Sequence, residues 1–283
     1  MKKACKTLLI CILAILILAL AQTLALLAGE ASVKAGMPGI FEPVIDAVLY
    51  PVLAFFGLKL IAGRKRHFSL RSFRIGRLKL KWYWGLTAVL LPASVVLAFV
   101  LTCGRWVVNR ASAGDKCTIL LFGVLYYSLA AGIVEEMVFR GVIMGTLERE
   151  YNRKLAVLLP SILFGLVHII GNKLSVISII QLVVAGTFVG IMFSLVEYQS
   201  GSFWNNAIIH ALWNMSTIGL CHVGSGPDPD SVFTLVINTK NSLISGGDFG
   251  VESSIIAIAG YAIVSVIAFV LDRKCGEDRR RSC

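Results

Sequence analysis

The feature that most constrains this chain is a succession of long apolar runs separated by short polar or cationic segments. A helix crossing the hydrocarbon core of a bilayer needs about 20 apolar residues. Eight runs approach that length: 8–28, 40–62, 82–103, 118–146, 155–171, 176–196, 203–221 and 254–271. Backbone exposed to lipid must satisfy its own hydrogen bonds, so these runs are read as helices. With 57% hydrophobic and only 15% charged residues, a single water-soluble domain is excluded. The expected fold class is all-α: a polytopic membrane helical bundle of about eight transmembrane helices.

The 27 Lys and Arg outnumber the 16 Asp and Glu, giving a formal charge of +11, and the cations are clustered. Lys2, Lys3 and Lys6 precede the first run. Arg64, Lys65, Arg66, Arg71, Arg74, Arg77, Lys79 and Lys81 lie between the second and third. Arg149, Arg153 and Lys154 follow the fourth, and Arg273, Lys274, Arg279, Arg280 and Arg281 follow the eighth. If eight spans alternate, every cluster falls on one side, which is then cytoplasmic, with both termini on it. Topology thus accounts for the basic charge, and no nucleic-acid partner is expected; the partner is the lipid bilayer of the cell membrane. Residues 1–28 read as an uncleaved first span rather than a signal peptide, because the apolar run exceeds a signal's usual length despite Ala19-Leu20-Ala21. The 64–81 loop reads as a topology determinant, followed by an aromatic belt at Trp82, Tyr83 and Trp84. The seven cysteines include no CxxC, so neither a disulfide framework nor a cysteine metal site is expected. The chain divides into residues 1–116 (N-terminal helices with the basic loop), 117–221 (a catalytic core) and 222–283 (outer loop, last helix and basic tail). The outer loop is rich in Gly, Pro, Asp and Ser, with one alternating stretch, 232–237, fit for a short strand.

Ionisable groups inside a span are costly and therefore functional suspects. Lys59 is placed to snorkel, Asp46 reads as interfacial, and His67 and His222 fall in loops. Three clusters remain. Glu135 and Glu136 are adjacent in the fourth run, about 100° apart on a helix. Glu136 and Arg140, four apart, share a face and can pair, which leaves Glu135 to face a cavity. Phe164 precedes His168 by four in the fifth run, and His210 precedes Asn214 by four in the seventh. At about 1.5 Å per residue, Glu135 and His168 each lie roughly 21 Å from the nearest basic cluster, and His210 and Asn214 roughly 12 to 18 Å from Ser202. Three helices therefore place their strongly polar side chains in one slab, where a shared pocket satisfies them all.

A carboxylate with a histidine can hold and deprotonate water, and a second imidazole with an amide can stabilise an oxyanion. Glu135, His168 and His210 equally suit a divalent metal such as zinc with an open position for water; a metal-free mechanism stands beside it. No HExxH occurs, Ser245-Gly246-Gly247-Asp248 only approaches GxGD, and no serine pairs with a histidine.

At these residues the sequence resembles the CPBP family of intramembrane proteases, which includes the type II CAAX prenyl endopeptidases and the Abi proteins. The family's EExxxR, FxxxH and HxxxN motifs are met in order by Glu135-Glu136…Arg140, Phe164…His168 and His210…Asn214, over roughly residues 117–220. The resemblance implies that Glu135 and His168 activate water, that His210 and Asn214 stabilise the oxyanion, and that Glu136 and Arg140 form a structural ion pair. It also implies a peptide or protein substrate, prenylated if the processing is of the CAAX type. The expected function is an intramembrane endopeptidase cutting within or near the cytoplasmic half of the membrane. Two other readings of the same residues are a transporter or proton relay and a non-catalytic immunity protein that binds a peptide toxin.

Overall fold

The computed structural model describes residues 2–62, 75–76, 78–102 and 104–281 and, for Lys2, Ala62 and residues 275–281, the backbone path alone. Of the basic loop, Arg64, Lys65, Arg66, His67, Arg71, Arg74 and Arg77 lie outside the described residues.

Eight main helices follow the eight apolar runs. They are α1 (Lys2–Lys34), α2 (Glu42–Ala62), α3 (Trp82–Thr102), α4 (Ala113–Glu150), α5 (Arg153–Val167), α6 (Val176–Ser200), α7 (Phe203–Asn214) and α8 (Ile255–Arg281). Six of them are long and apolar enough to cross a membrane. The expected helical membrane bundle is present, and two of its eight helices, α5 and α7, are shorter, with 15 and 12 residues. α5 stops because His168 caps it and the chain turns through Gly171 at φ 83°. α7 gives way to a wider π turn, Met215–Gly219. Helices enclosed by other helices need not span the hydrocarbon, since protein rather than lipid surrounds their ends. α7 is such a helix: nine of its residues, including Asn205, Asn206, His210 and Asn214, are buried.

Contacts between helix ends align the bundle. Lys3 at the start of α1 reaches Glu150 at the end of α4 (3.8 Å), and Arg153 at the start of α5 pairs with Asp272 near the end of α8. Lys81 donates to the Gln199 carbonyl (2.8 Å), joining the start of α3 to the end of α6. The Trp84 indole donates to the Gln199 side chain at 2.8 Å. These ends, here the basic end, carry the described cations Lys3, Lys81, Arg149, Arg153, Lys154 and Arg273. At the opposite end β1 (Gly104–Val108), β2 (Cys221–Gly224) and β3 (Phe233–Ile237) form a sheet in the order β1-β3-β2, antiparallel and then parallel. β3 falls in the expected alternating stretch. β1 follows the third apolar run directly, and its five residues, Gly104-Arg105-Trp106-Val107-Val108, carried no alternating signal.

Two apolar clusters fill the bundle. One joins α1, α2, α4 and α5 around Tyr50, Phe139 and Ile143, and the other joins α3, α6, α8 and the sheet around Trp84, Phe99 and Leu235. α7 lies between them, giving Phe203 and Ala207 to the first and Ile209 and Trp213 to the second. Leucines such as Leu60, Leu86 and Leu101 face outward. An outer surface this apolar suits lipid and would be an aggregation liability in water. Within lipid the association of helices relies on close packing. A Cβ on Gly132 of α4 would lie 3.0 Å from the Ala211 nitrogen of α7, and one on Gly186 of α6 would lie 2.4 Å from Gly165 Cα of α5. Both crossings lie within a turn of the residues singled out above. Asp46, expected at an interface, is instead fully buried against Gly29 of α1. His222, expected in a loop, lies on β2 with Nδ1 3.3 Å from Asp228.

Candidate active site

α4 is not uniform. Its hydrogen bonding widens to π geometry over Phe122–Ala130 and again over Met137–Ile143, leaving one α-helical stretch, Ala131–Glu136, between. Such widenings occur often at functional sites, and this one brackets the two glutamates. Glu136 points into the bundle and is wholly buried. Its Oε1 lies 3.0 Å from Arg140 Nη1, and the buried Arg140 also donates to the Gly190 carbonyl at 3.3 Å. The guanidinium lies over the rings of Phe164 (4.7 Å) and Phe193 (4.9 Å), so aromatic faces supply what a second carboxylate would otherwise provide.

The same Glu136 Oε1 accepts from His210 Nδ1 at 3.1 Å. His210 therefore joins the ion pair to the cavity, a link the motif spacing did not reveal because it runs between helices. Its ring is stacked on Phe193 at 5.2 Å and meets Phe164 edge-on at 5.9 Å, which holds its orientation. His168 is fixed differently: its Nδ1 lies 2.6 Å from the Phe164 carbonyl oxygen one turn back. A carbonyl only accepts, so Nδ1 carries a proton, and it is Nε2 that faces the cavity.

Both Nε2 atoms face Glu135. Its Oε2 lies 3.8 Å from His168 Nε2 and 3.8 Å from His210 Nε2, and it is buried with no hydrogen-bond partner. That distance is too long for a direct hydrogen bond and short enough for one water to touch both groups. Asn214, one turn beyond His210, donates through Nδ2 to the Tyr127 carbonyl at 3.0 Å and keeps its second amide hydrogen. Among the described residues no group of three or more His, Cys, Asp and Glu side chains is arranged to hold a metal ion.

Glu135, His168, His210 and Asn214 line one cavity of about 220 Å³. Its other walls include Gln22 of α1 and Tyr127 of α4, and also Phe249, Glu252, Ser253 and Tyr261, which come from the outer loop and α8. Sequence reasoning missed these last residues. Glu252 was visible only as one acid among several in a loop, and Phe249 gave no signal. The loop reaches the cavity because it is tied to α6: Asp248 accepts from the Ser175 backbone (2.8 Å), its own N–H donates to Ser178 Oγ (2.9 Å), and Gln181 donates to the Ser242 carbonyl (2.8 Å). Those bonds hold the exposed Asp248 carboxyl below its ordinary value of 3.8. Phe249 then meets the His168 ring edge-on at 6.2 Å. The site lies at the loop end of α5, roughly 22 Å from Arg153.

A family model described as type II CAAX prenyl endopeptidase Rce1-like matches residues 117–216. This core is Rce1-like. Comparison with curated proteins and with solved structures gives no match. The Rce1-like segment begins in α4 and ends just after α7, so it contains all seven motif residues and none of α1–α3, the outer loop or α8. The similarity covers about a third of the chain and is to a family of proteases, which act on peptide or protein substrates, and it falls within a chain carrying several helices apolar enough to cross a membrane.

Proposed function

We propose that the protein is an intramembrane endopeptidase that hydrolyses a peptide bond with water held by Glu135 and His168. The observation that carries this reading is the buried, unpartnered Glu135 Oε2, set 3.8 Å from two imidazole nitrogens in an aromatic cavity. Glu135 accepts a proton from the water as the oxygen attacks the peptide carbonyl, while His168 Nε2 orients the second hydrogen. The developing oxyanion accepts from the free amide hydrogen of Asn214. His210, donating Nδ1–H to Glu136, offers Nε2–H to the same oxygen when its ring carries both protons. Glu135 then returns its proton to the leaving amine. Glu136 and Arg140 act behind the cavity, fixing the His210 ring. Residues 117–221 form the catalytic core, and both termini lie in the cytoplasm of a cell-membrane protein.

The test is cleavage of a peptide library by detergent-purified protein, wild type against Glu135→Gln. Hydrolysis by the wild type that the variant loses supports the reading; equal hydrolysis by both overturns it. Assaying the wild type before and after chelation and reconstitution with zinc decides whether an ion takes part.

A further inference from the structure

Opposite the two histidines the cavity wall is built by residues outside the Rce1-like segment. Glu252 Oε1 accepts from the Trp213 indole at 2.7 Å and from Thr217 at 3.4 Å. Its backbone carbonyl accepts from the Tyr261 hydroxyl at 3.3 Å, so backbone and side chain are both held in place. The adjacent Ser253 is 1% exposed, lines the cavity, and its Oγ has no partner. Trp213 and Tyr261 pack edge-on at 5.1 Å beside the carboxylate, and Phe249 completes the aromatic surround.

Among the described residues, no Lys or Arg lines this cavity. A fixed carboxylate within aromatic walls, next to a buried hydroxyl that bonds nothing, leaves one negative charge without a cation and one hydrogen-bonding group unsatisfied. Both deficits are met by the ammonium or guanidinium of an entering chain, which the ring faces also attract. An acidic side chain there is repelled, and an apolar one leaves Ser253 and Glu252 unanswered. The wall adjoins the reacting groups, since Trp213 precedes Asn214 and Phe249 touches His168. We infer that Glu252, with Ser253 and the rings of Trp213, Tyr261 and Phe249, forms a substrate subsite for a Lys or Arg side chain close to the scissile bond. The inference names the substrate class of the protease reading and rests on it for its biological meaning.

Binding can be read without hydrolysis. In a Glu135→Gln background, the detergent-purified full chain is titrated with two fluorescent twelve-residue apolar peptides, identical except for a central Lys or norleucine. Tighter binding of the Lys peptide by about tenfold or more is expected at low salt. The advantage should shrink to within about twofold when Glu252→Gln is added, with the norleucine peptide unaffected; glutamine keeps the acceptor for Trp213 and removes only the charge. Equal binding of the two peptides, binding of neither, or a lysine preference that survives Glu252→Gln overturns the inference. The Lys-to-norleucine comparison stands without the Glu252 variant, should that variant fail to fold. Absence of cleavage by the wild type, measured separately, counts against the protease reading and not against the subsite.

Discussion

Arg140 tests how the site is held. The guanidinium is fully buried, pairs with Glu136 at 3.0 Å, donates to Gly190, and lies between Phe164 and Phe193. Replacing it with Met keeps most of the apolar volume but strands the Glu136 carboxylate, whose remaining partner is His210 at 3.1 Å. Removing one member of a buried pair costs about 3–5 kcal/mol, chiefly because the other charge stays buried. Glu136→Gln alone strands the arginine in the same way. The double variant Glu136→Gln/Arg140→Met leaves neither charge stranded, and the neutral amide still accepts from His210. It should therefore cost less than the sum of the singles by about 2 kcal/mol or more. Unfolding titrations in mixed SDS micelles, followed by tryptophan fluorescence, measure all four corners of the cycle. An Arg140→Met cost below about 1 kcal/mol, or strict additivity, would refute the view that this pair supports the site.

Other consequences are more direct. Glu135→Gln should reduce proteolysis by about 10²–10⁴-fold while leaving the SDS midpoint near wild type, because Oε2 makes no bond in the fold; peptide cleavage alongside unfolding measures both. Asn214→Ala should lower kcat by about 10²–10³-fold with little change in KM, checked by steady-state kinetics. Gly186→Ala places a methyl group 2.4 Å from Gly165 Cα; α5 must move away from α6, taking His168 with it, so activity should fall further than stability does. Asp248 is held below its ordinary 3.8 by bonds from Ser175 and Ser178, so its clamp on the outer loop is complete above that value and is lost as pH falls through the lower folded value. Hydrogen exchange across 242–254 should accordingly rise in strong acid, and at neutral pH in Asp248→Asn.

Legibility differed by element for physical reasons. The eight helices were readable because hydropathy is a property of each segment on its own. Their ends were less so: His168 closes α5 by bonding back to Phe164, and nothing in the apolar run before Gly171 announces that. The motif residues were legible because a charge or imidazole in lipid needs a reason to be there. The His210–Glu136 bond, by contrast, joins residues 74 positions apart and depends on the close crossing at Gly132. The wall built by Phe249, Glu252 and Ser253 was invisible for a related reason: loop composition says that a segment is irregular, not where it folds. β1 escaped because its five residues include Gly104 and Arg105 and only three consecutive apolar residues, Trp106, Val107 and Val108, with no alternation.

The position of the cavity bears on which substrates reach it. His168 ends α5 at the loop end, and the outer loop forms part of the cavity wall, while the described members of the cationic clusters, among them Lys3, Lys81, Arg149 and Arg153, mark the other end. If those clusters are cytoplasmic, a cytoplasmic C-terminal tail of the CAAX kind would have to thread roughly 22 Å of bundle to be cut, whereas a segment entering near the loop end would not. Cysteine labelling decides between them. In a chain whose seven native cysteines are replaced, single cysteines are placed at the exposed Lys240, in the outer loop, and at the exposed Lys154, at the basic end. A membrane-impermeant maleimide applied to intact cells should label Lys240→Cys and spare Lys154→Cys until the membrane is permeabilised. The reverse pattern would refute the orientation drawn from the cations, put the loop end and its cavity on the cytoplasmic side, and make CAAX-type tails the accessible substrates.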